Sequence, residues 1–564
     1  MTFTKHGPAD QYGPADQHST GTRRLRSRRA ALAGRTWLRG RRAVAAACAA
    51  SGLLLFLAYA AQARTMAATS ESSAQALQAW DMLHGNVLLH GWALSDVTFY
   101  TTEIPEYMAV ELARGLSGGV VHVAAAFTYT LLVLLAALLA AGRAAGRERL
   151  VRMLIAAGIM LAPSLRPGTY LLLSAPDHLG TQVALLAIWL VLDGVRARWW
   201  VPVVVGVLLT WALVADLLVL YEAVLPLAAV CAMRMYRRRG PLAGQRYELS
   251  LAAAAVGSAV AARLAVALIG QAGGFTARTL LARFSTSGEL SAHLWDRVQG
   301  VLGVFGADII GQPVGPGLLL DLVRLVAVVL VGWAVAAAVR RFYGDADLVT
   351  QVLAAAFAVV LAGYLFTNKG ATNEVVPLVP VGAVLAGRLL GGRLLRSGLV
   401  PALAVVLACN GGILAYNAAQ LPARSPDQLA ASWLEAHHLS YGLAGFWEAN
   451  SVTADSGDQV MVRPVRMYRH ELVTTPWETG ASWYEPARHD ARFVIWAPPG
   501  SCANVCLSMA DLRTLFGPPA ATYRVGSYRV LVWRTNLLAS VQTRYWCGNA
   551  WAWSSPARPS AGPC

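Results

Sequence analysis

Apolar runs about the length of a bilayer crossing recur along the chain, and the turns between them are alternately rich and poor in arginine. Runs near 20 residues with few charges predict membrane-spanning helices. About eleven are expected, at 44–62, 119–141, 150–165, 177–193, 199–214, 217–233, 248–270, 313–338, 349–366, 374–390 and 398–418. Alternate turns carry Arg143, Arg147, Arg149 and Arg152, then Arg196 and Arg198, then Arg234, Arg237, Arg238, Arg239 and Arg246, then Arg340 and Arg341, then Arg393 and Arg396. Arginine collects on the cytoplasmic face of membrane proteins. This pattern predicts a cytoplasmic N-terminus and an extracytoplasmic C-terminus.

The stretches between spans divide the chain further. Residues 1–43 hold a GPADQ repeat, at Gly7 and Gly13, and an arginine-rich run. They read as a disordered basic cytoplasmic tail. The apolar run that follows lacks a convincing cleavage site and reads as a retained first span. The membrane region, 44–418, contains two long outer loops, 63–118 and 271–312. Helical periodicity appears at Ala74–Asp81 and Ile104–Leu116 in the first. Phe275–Phe284 and Leu290–Val304 in the second read as surface amphipathic helices. Beyond 418 the composition turns charged and tryptophan-rich. A helix near Pro426–His437 and strand-like runs at Arg492–Trp496 and Tyr528–Trp533 predict an extracytoplasmic α/β domain over 419–538. Residues 539–564 read as a loose tail.

Composition narrows the class. Of 564 residues, 56% are hydrophobic and 14% charged, and mean hydropathy is +0.47. Soluble domains carry about 25% charged residues, so a soluble enzyme and a disordered chain are both excluded. The net charge of +16 sits in the N-terminal tail and the cytoplasmic turns, where it serves topology; a nucleic-acid partner is not expected. Cys48, Cys231 and Cys409 lie in apolar runs and read as packing residues. Cys502 and Cys506 lie in the outer region, where a disulfide between them can form.

Candidate chemistry gathers in the first outer loop, WDMLHGNVLLHGWALSDVTFYTTEIPEY. Asp81, Asp96, Glu103 and Glu106 can serve there as general base, metal ligands or acceptor-binding groups. Asp81 ends an apolar helical run at the lipid interface, where charges are costly and often functional. His84 and His90 read as structural. Lys369 is the only lysine outside the tail, where Lys5 lies. It falls on the predicted outer face, suited to a lipid phosphate or to pairing with Glu374. Arg166, Asp177 and His178 share that face, and Asp177 is placed to N-cap the span it opens. Arg278 and Arg283 are alternative phosphate clamps. Asp216 and Glu222, at a predicted turn, read as solvated.

The order of a first span, a short helix ending in Asp, Gly-Asn, aromatics and a second acidic site resembles the GT-C superfamily of integral-membrane glycosyltransferases. A second match is YLFTNKGATNEVVPLVPVGAVLAGRLL, where Lys369, Pro377 and Pro380 fit and Asn373-Glu374 stands in place of Arg-Tyr. The resemblance implies a polytopic helical fold with an extracytoplasmic domain, and a sugar donor carried on a polyprenyl phosphate. It implies Asp81 as catalytic base, Asp96 or Glu103 as second carboxylate, and Lys369 on the donor phosphate. No cofactor is certain, and a divalent metal is possible.

Walker A, dinucleotide-binding and H-E-x-x-H motifs are absent. Paired Gly/Pro-broken spans, expected of a transporter, are absent too, and Arg263 is the one clear charge in mid-span. The leading reading is inverting transfer of a sugar to an extracytoplasmic glycan, lipid or protein. The alternatives are a non-catalytic scaffold or degenerate transferase, and a transporter or flippase-like protein.

Overall fold

The computed structural model describes residues 46–164, 171–175, 177–195, 197–238, 242–277, 282–344, 346–368, 370, 372–498, 506–547 and 550–554. Every segment expected to span holds a helix. In chain order these are α1 (Ala46–Ala63), then α2 (Ser70–Leu83) and α3 (Glu103–Arg114) in the first outer loop, then α4 (Gly118–Ala141), α5 (Gly146–Met160), α6 (Leu179–Gly194), α7 (Val201–Ala215), α8 (Leu225–Arg238), α9 (Arg246–Gln271), α10 (Ser287–Val304) in the second outer loop, α11 (Pro316–Arg341), α12 (Leu348–Phe366), α13 (Leu378–Arg396) and α14 (Val400–Ala418). Among the described residues seven helices are long and apolar enough to cross a bilayer, namely α1, α4, α9, α11, α12, α13 and α14. The apolar helices α6 and α7 are shorter. The chain is a multi-pass membrane protein.

Burial sorts these helices. Val256, Val260, Leu264 and Leu268 on α9 are exposed at a spacing of four residues, which is one outward stripe suited to lipid. In contrast, α13 is buried along most of its length. Its glycines permit this. A Cβ on Gly387 would stand 2.5 Å from the Arg152 carbonyl of α5, so α5 and α13 approach backbone to backbone. Arg388, beside it, is 8% exposed. Its Nη2 donates to Asp193 Oδ1 at 2.8 Å and Asp347 Oδ1 at 3.1 Å, and its Nη1 to the Leu139 carbonyl at 2.9 Å. One guanidinium thus joins the ends of α4 and α6 and the start of α12 at the arginine-rich face.

The outer loops are more built than the sequence suggests. Thr69 caps α2 through a capping box with Ser72, so the helix starts at Ser70, ahead of the expected Ala74. Where Phe275–Phe284 was expected to be helical, Thr276–Ala277 forms a strand. A three-stranded sheet ties β1 (Trp92–Leu94) to this strand, β2, in parallel and to β6 (Thr479–Gly480) antiparallel. Both outer loops and the C-terminal region meet there.

The C-terminal region holds a six-stranded sheet in the order β5-β4-β3-β7-β9-β8: β3 (Tyr441–Ala444), β4 (Met461–Tyr468), β5 (Glu471–Thr474), β7 (Phe493–Trp496), β8 (Ala521–Val525) and β9 (Tyr528–Val532). β3 pairs in parallel with β4 and β7, and the other pairs are antiparallel. Helix Phe446–Asp455 seats this region on α2, where the Ser70 hydroxyl donates to the Phe446 carbonyl. Thr543–Cys547 and Ala550–Ser554 form an antiparallel pair in what was expected to be a loose tail. These segments carry Tyr545, Trp546, Trp551 and Trp553, residue types that favour strands.

Candidate functional site

The three-stranded sheet positions the site. Ser95 and Asp96 follow β1, Ala277 lies in β2, and Trp477 and Glu478 precede β6; all line one cavity of about 650 Å³. Glu71 and Gln75 enter it from the first turns of α2. Asp177 and His178 enter from the start of α6, and Asn373 and Glu374 from the turn before α13.

The polar side is held by a buried network. His178 Nδ1 lies 2.7 Å from Asp216 Oδ2, and both side chains are buried. His178 has a left-handed backbone, φ 57, and its ring meets Phe99 edge-on at 5.6 Å. The Asn373 side chain hydrogen-bonds Asp177. Burial pushes the Glu71 carboxyl up to about 7, with the charges of Asp177 and Asp96 adding to the rise and His178 opposing it. Burial also holds Glu478 well above the usual carboxylate range, helped by Glu71, Asp177 and Asp96 and opposed by a hydrogen bond with Ser95. Close to neutral pH, Glu71 can therefore accept or release a proton.

The other side is apolar, formed by Leu213 and Val214 at the end of α7, Leu217 and Leu218 just after it, and Ala262 and Val266 on α9. Arg263 lines the cavity and is exposed. It adjoins Leu264 of the outward stripe, so a guanidinium stands where cavity and lipid-facing surface meet.

Of the residues singled out from sequence, Asp96, Asp177, His178 and Glu374 come together in this cavity. Asp81 does not line it. Its Oδ2 accepts from Asn86 Nδ2 at 2.8 Å and Trp92 Nε1 at 2.7 Å, and so fixes the turn between α2 and β1. Glu103 is buried outside the cavity; it accepts the Thr181 N–H at 3.0 Å and the Thr102 hydroxyl. It thereby satisfies an N-terminal donor of α6, the part expected of Asp177. The N-cap position itself is His178 and makes no side-chain cap. Asp216 and Glu222, expected to be solvated, are buried: Asp216 pairs with His178, and Glu222 accepts from Gln182 within a π-helical turn, Leu220–Val224. Arg283 is taken up by Glu289 at 2.6 Å. Arg166, Lys369, Arg278 and Cys502 lie outside the described residues. Cys506 is disulfide-bonded, whereas Cys48, Cys231 and Cys409 are free.

Glu71, Asp216, Arg263 and Glu478 were not assigned to a site from sequence. For Glu71 a signal existed, since Thr-Ser-Glu just beyond the first span is a helix-start pattern. No three or more His, Cys, Asp or Glu side chains among the described residues converge to hold a metal ion.

No family model matches the chain, and no curated protein matches it in sequence. Solved structures do match. The crystal structure of ArnT from Cupriavidus metallidurans in the apo state is 12% identical, with a TM-score of 0.55 over 88% of this chain and 99% of that one. The same protein bound to undecaprenyl phosphate is 13% identical, with a TM-score of 0.52 over 87% and 98%. The apo oligosaccharyltransferase of Archaeoglobus fulgidus is 11% identical, with a TM-score of 0.45 over 79% and 69%. The chain shares the fold of ArnT.

Proposed function

We propose that the cavity moves a sugar from a polyprenyl-phosphate carrier to an extracytoplasmic acceptor. The observation that carries this reading is one cavity with a half-buried acid of near-neutral pKa, Glu71, on its polar side and an arginine, Arg263, at the mouth of its apolar side. A polyprenyl-phosphate sugar has that division of chemistry: an apolar tail, an anionic phosphate and a polar sugar. The similar ArnT structure with undecaprenyl phosphate supports a carrier of this class.

In this mechanism Glu71, as carboxylate, takes the proton of the acceptor hydroxyl. The acceptor oxygen bonds to the anomeric carbon as the bond from that carbon to the phosphate oxygen breaks, so the centre inverts. The bonding electrons leave with the polyprenyl phosphate. Arg263 steadies the growing charge on that phosphate. Lys369, whose sequence neighbours Asn368 and Gly370 line the cavity, is proposed as a second cation there. Asp96 and the His178–Asp216 pair shape the sugar side. The sheet that closes the site belongs to the outer face, with the N-terminus cytoplasmic and the C-terminal region, 419–538, extracytoplasmic.

The purified protein in nanodiscs, supplied with a panel of polyprenyl-phosphate sugars and oligosaccharide acceptors, is expected to transfer at least one sugar. Absence of transfer together with absence of carrier binding would contradict the reading.

A further inference from the structure

Glu478 belongs to the C-terminal region and yet lines the cavity. It is 2% exposed, and its Oε2 has no hydrogen-bond partner. Its backbone sits at φ 54, where a side chain is strained and glycine is not. A buried carboxyl with one oxygen unpaired and a left-handed backbone both oppose folding. Glycine here would relieve both, so packing alone does not account for a glutamate.

The segment around it is pinned. Thr479 and Gly480 pair with Ala93 and Trp92, the Ala481 N–H donates to the Gly91 carbonyl at 2.8 Å, and the Thr479 hydroxyl to the Thr475 carbonyl at 2.7 Å. Glu478 is therefore held in the cavity. Burial raises its pKa most, the acids Glu71, Asp177 and Asp96 add to the rise, and a hydrogen bond with Ser95 opposes it. Among acids a buried carboxyl keeps its proton. A neutral carboxyl both donates and accepts a hydrogen bond, which matches a hydroxyl group and gives nothing to a phosphate anion that a cation would not give better.

We propose that Glu478 hydrogen-bonds a carbohydrate hydroxyl in the cavity, so that the C-terminal region supplies a substrate contact to the membrane region. This rests on the transferase reading above. The hydroxyl belongs either to the donor sugar or to a sugar acceptor, and the two are separable.

The test uses the full chain in nanodiscs with decaprenyl phosphate, bare or carrying mannose, glucose, galactose or arabinofuranose, and oligosaccharide acceptors. Dissociation constants come from native mass spectrometry and KM from transfer. For Glu478→Ala and Glu478→Gly, loss of one neutral hydrogen bond is expected to cost about three- to tenfold. A loss in affinity for a sugar-loaded carrier places the contact on the donor sugar. A rise in acceptor KM with unchanged carrier affinity places it on the acceptor. In both cases affinity for the bare carrier stays unchanged, Glu478→Gln restores binding, and the Tm of Glu478→Gly holds or rises. Wild-type transfer with unchanged constants in Glu478→Ala overturns the contact alone. So does a lowered Tm with bare-carrier binding lost as well, which marks a structural role. A wild-type protein that neither binds nor transfers from any loaded carrier overturns the transferase reading and this contact with it.

Discussion

Glu103 on α3 accepts the backbone N–H of Thr181 on α6 at 3.0 Å, so an acid from the first outer loop stands in for the missing N-cap of a membrane helix. Removing it leaves a buried donor unpaired. Glu103→Ala is expected to lower stability by about 1–3 kcal/mol, and Glu103→Gln, which keeps an acceptor, by less. Denaturation of the two variants in the same detergent checks this. A Glu103→Gln protein that is stable but loses transfer entirely would make Glu103 part of the chemistry.

Buried acids also set the pH dependence of stability. Burial pushes Glu103 and Glu111 up to about 8 and Glu71 up to about 7, against about 4.3 for an unfolded glutamate. In that window the folded state holds more protons than the unfolded one, so stability falls as pH rises. The contribution is full below about pH 4.3 and lost by about pH 8. The Tm in detergent is expected to decline between those limits, less steeply in Glu103→Gln. An equal slope in that variant would contradict the assignment.

Arg388 satisfies Asp193 and Asp347 at once. Arg388→Met strands the largely buried Asp193 carboxylate and is expected to destabilise by about 3–5 kcal/mol. Thermal unfolding and the yield of folded protein report it, and a wild-type Tm would contradict the joint drawn from these contacts.

Much of this was open to reading from the sequence. Spans follow from apolar length, and Asp96, Asp177, His178 and Glu374 stood out because each is polar beside a span or in a loop. Asp81 stood out by the same signal but does not line the cavity; its carboxylate accepts hydrogen bonds from Asn86 and Trp92. Glu71 sat in a helix start that periodicity, which begins counting at apolar positions, passed over. Glu478 was beyond reach, since only the β1–β6 pairing brings a residue so distant in sequence into the cavity.

Topology has its own test. Cysteines placed in 430–535 are expected to react with an impermeant reagent added to intact cells, and those in 234–247 are not, as the arginine distribution requires. Reaction at 234–247 would reverse the orientation.

The central claim is that Glu71, and not Asp81, is the base of sugar transfer, and transfer by Glu71→Gln and Asp81→Asn measured side by side tests it most directly. Glu71→Gln is expected to lower kcat by at least about 10²-fold while carrier binding persists, and the wild-type rate to rise with pH to a plateau above about 7, as the carboxyl loses its proton. Asp81→Asn is expected to transfer within about threefold of wild type. Near-normal transfer by Glu71→Gln, with transfer abolished in a folded Asp81→Asn, would contradict the account.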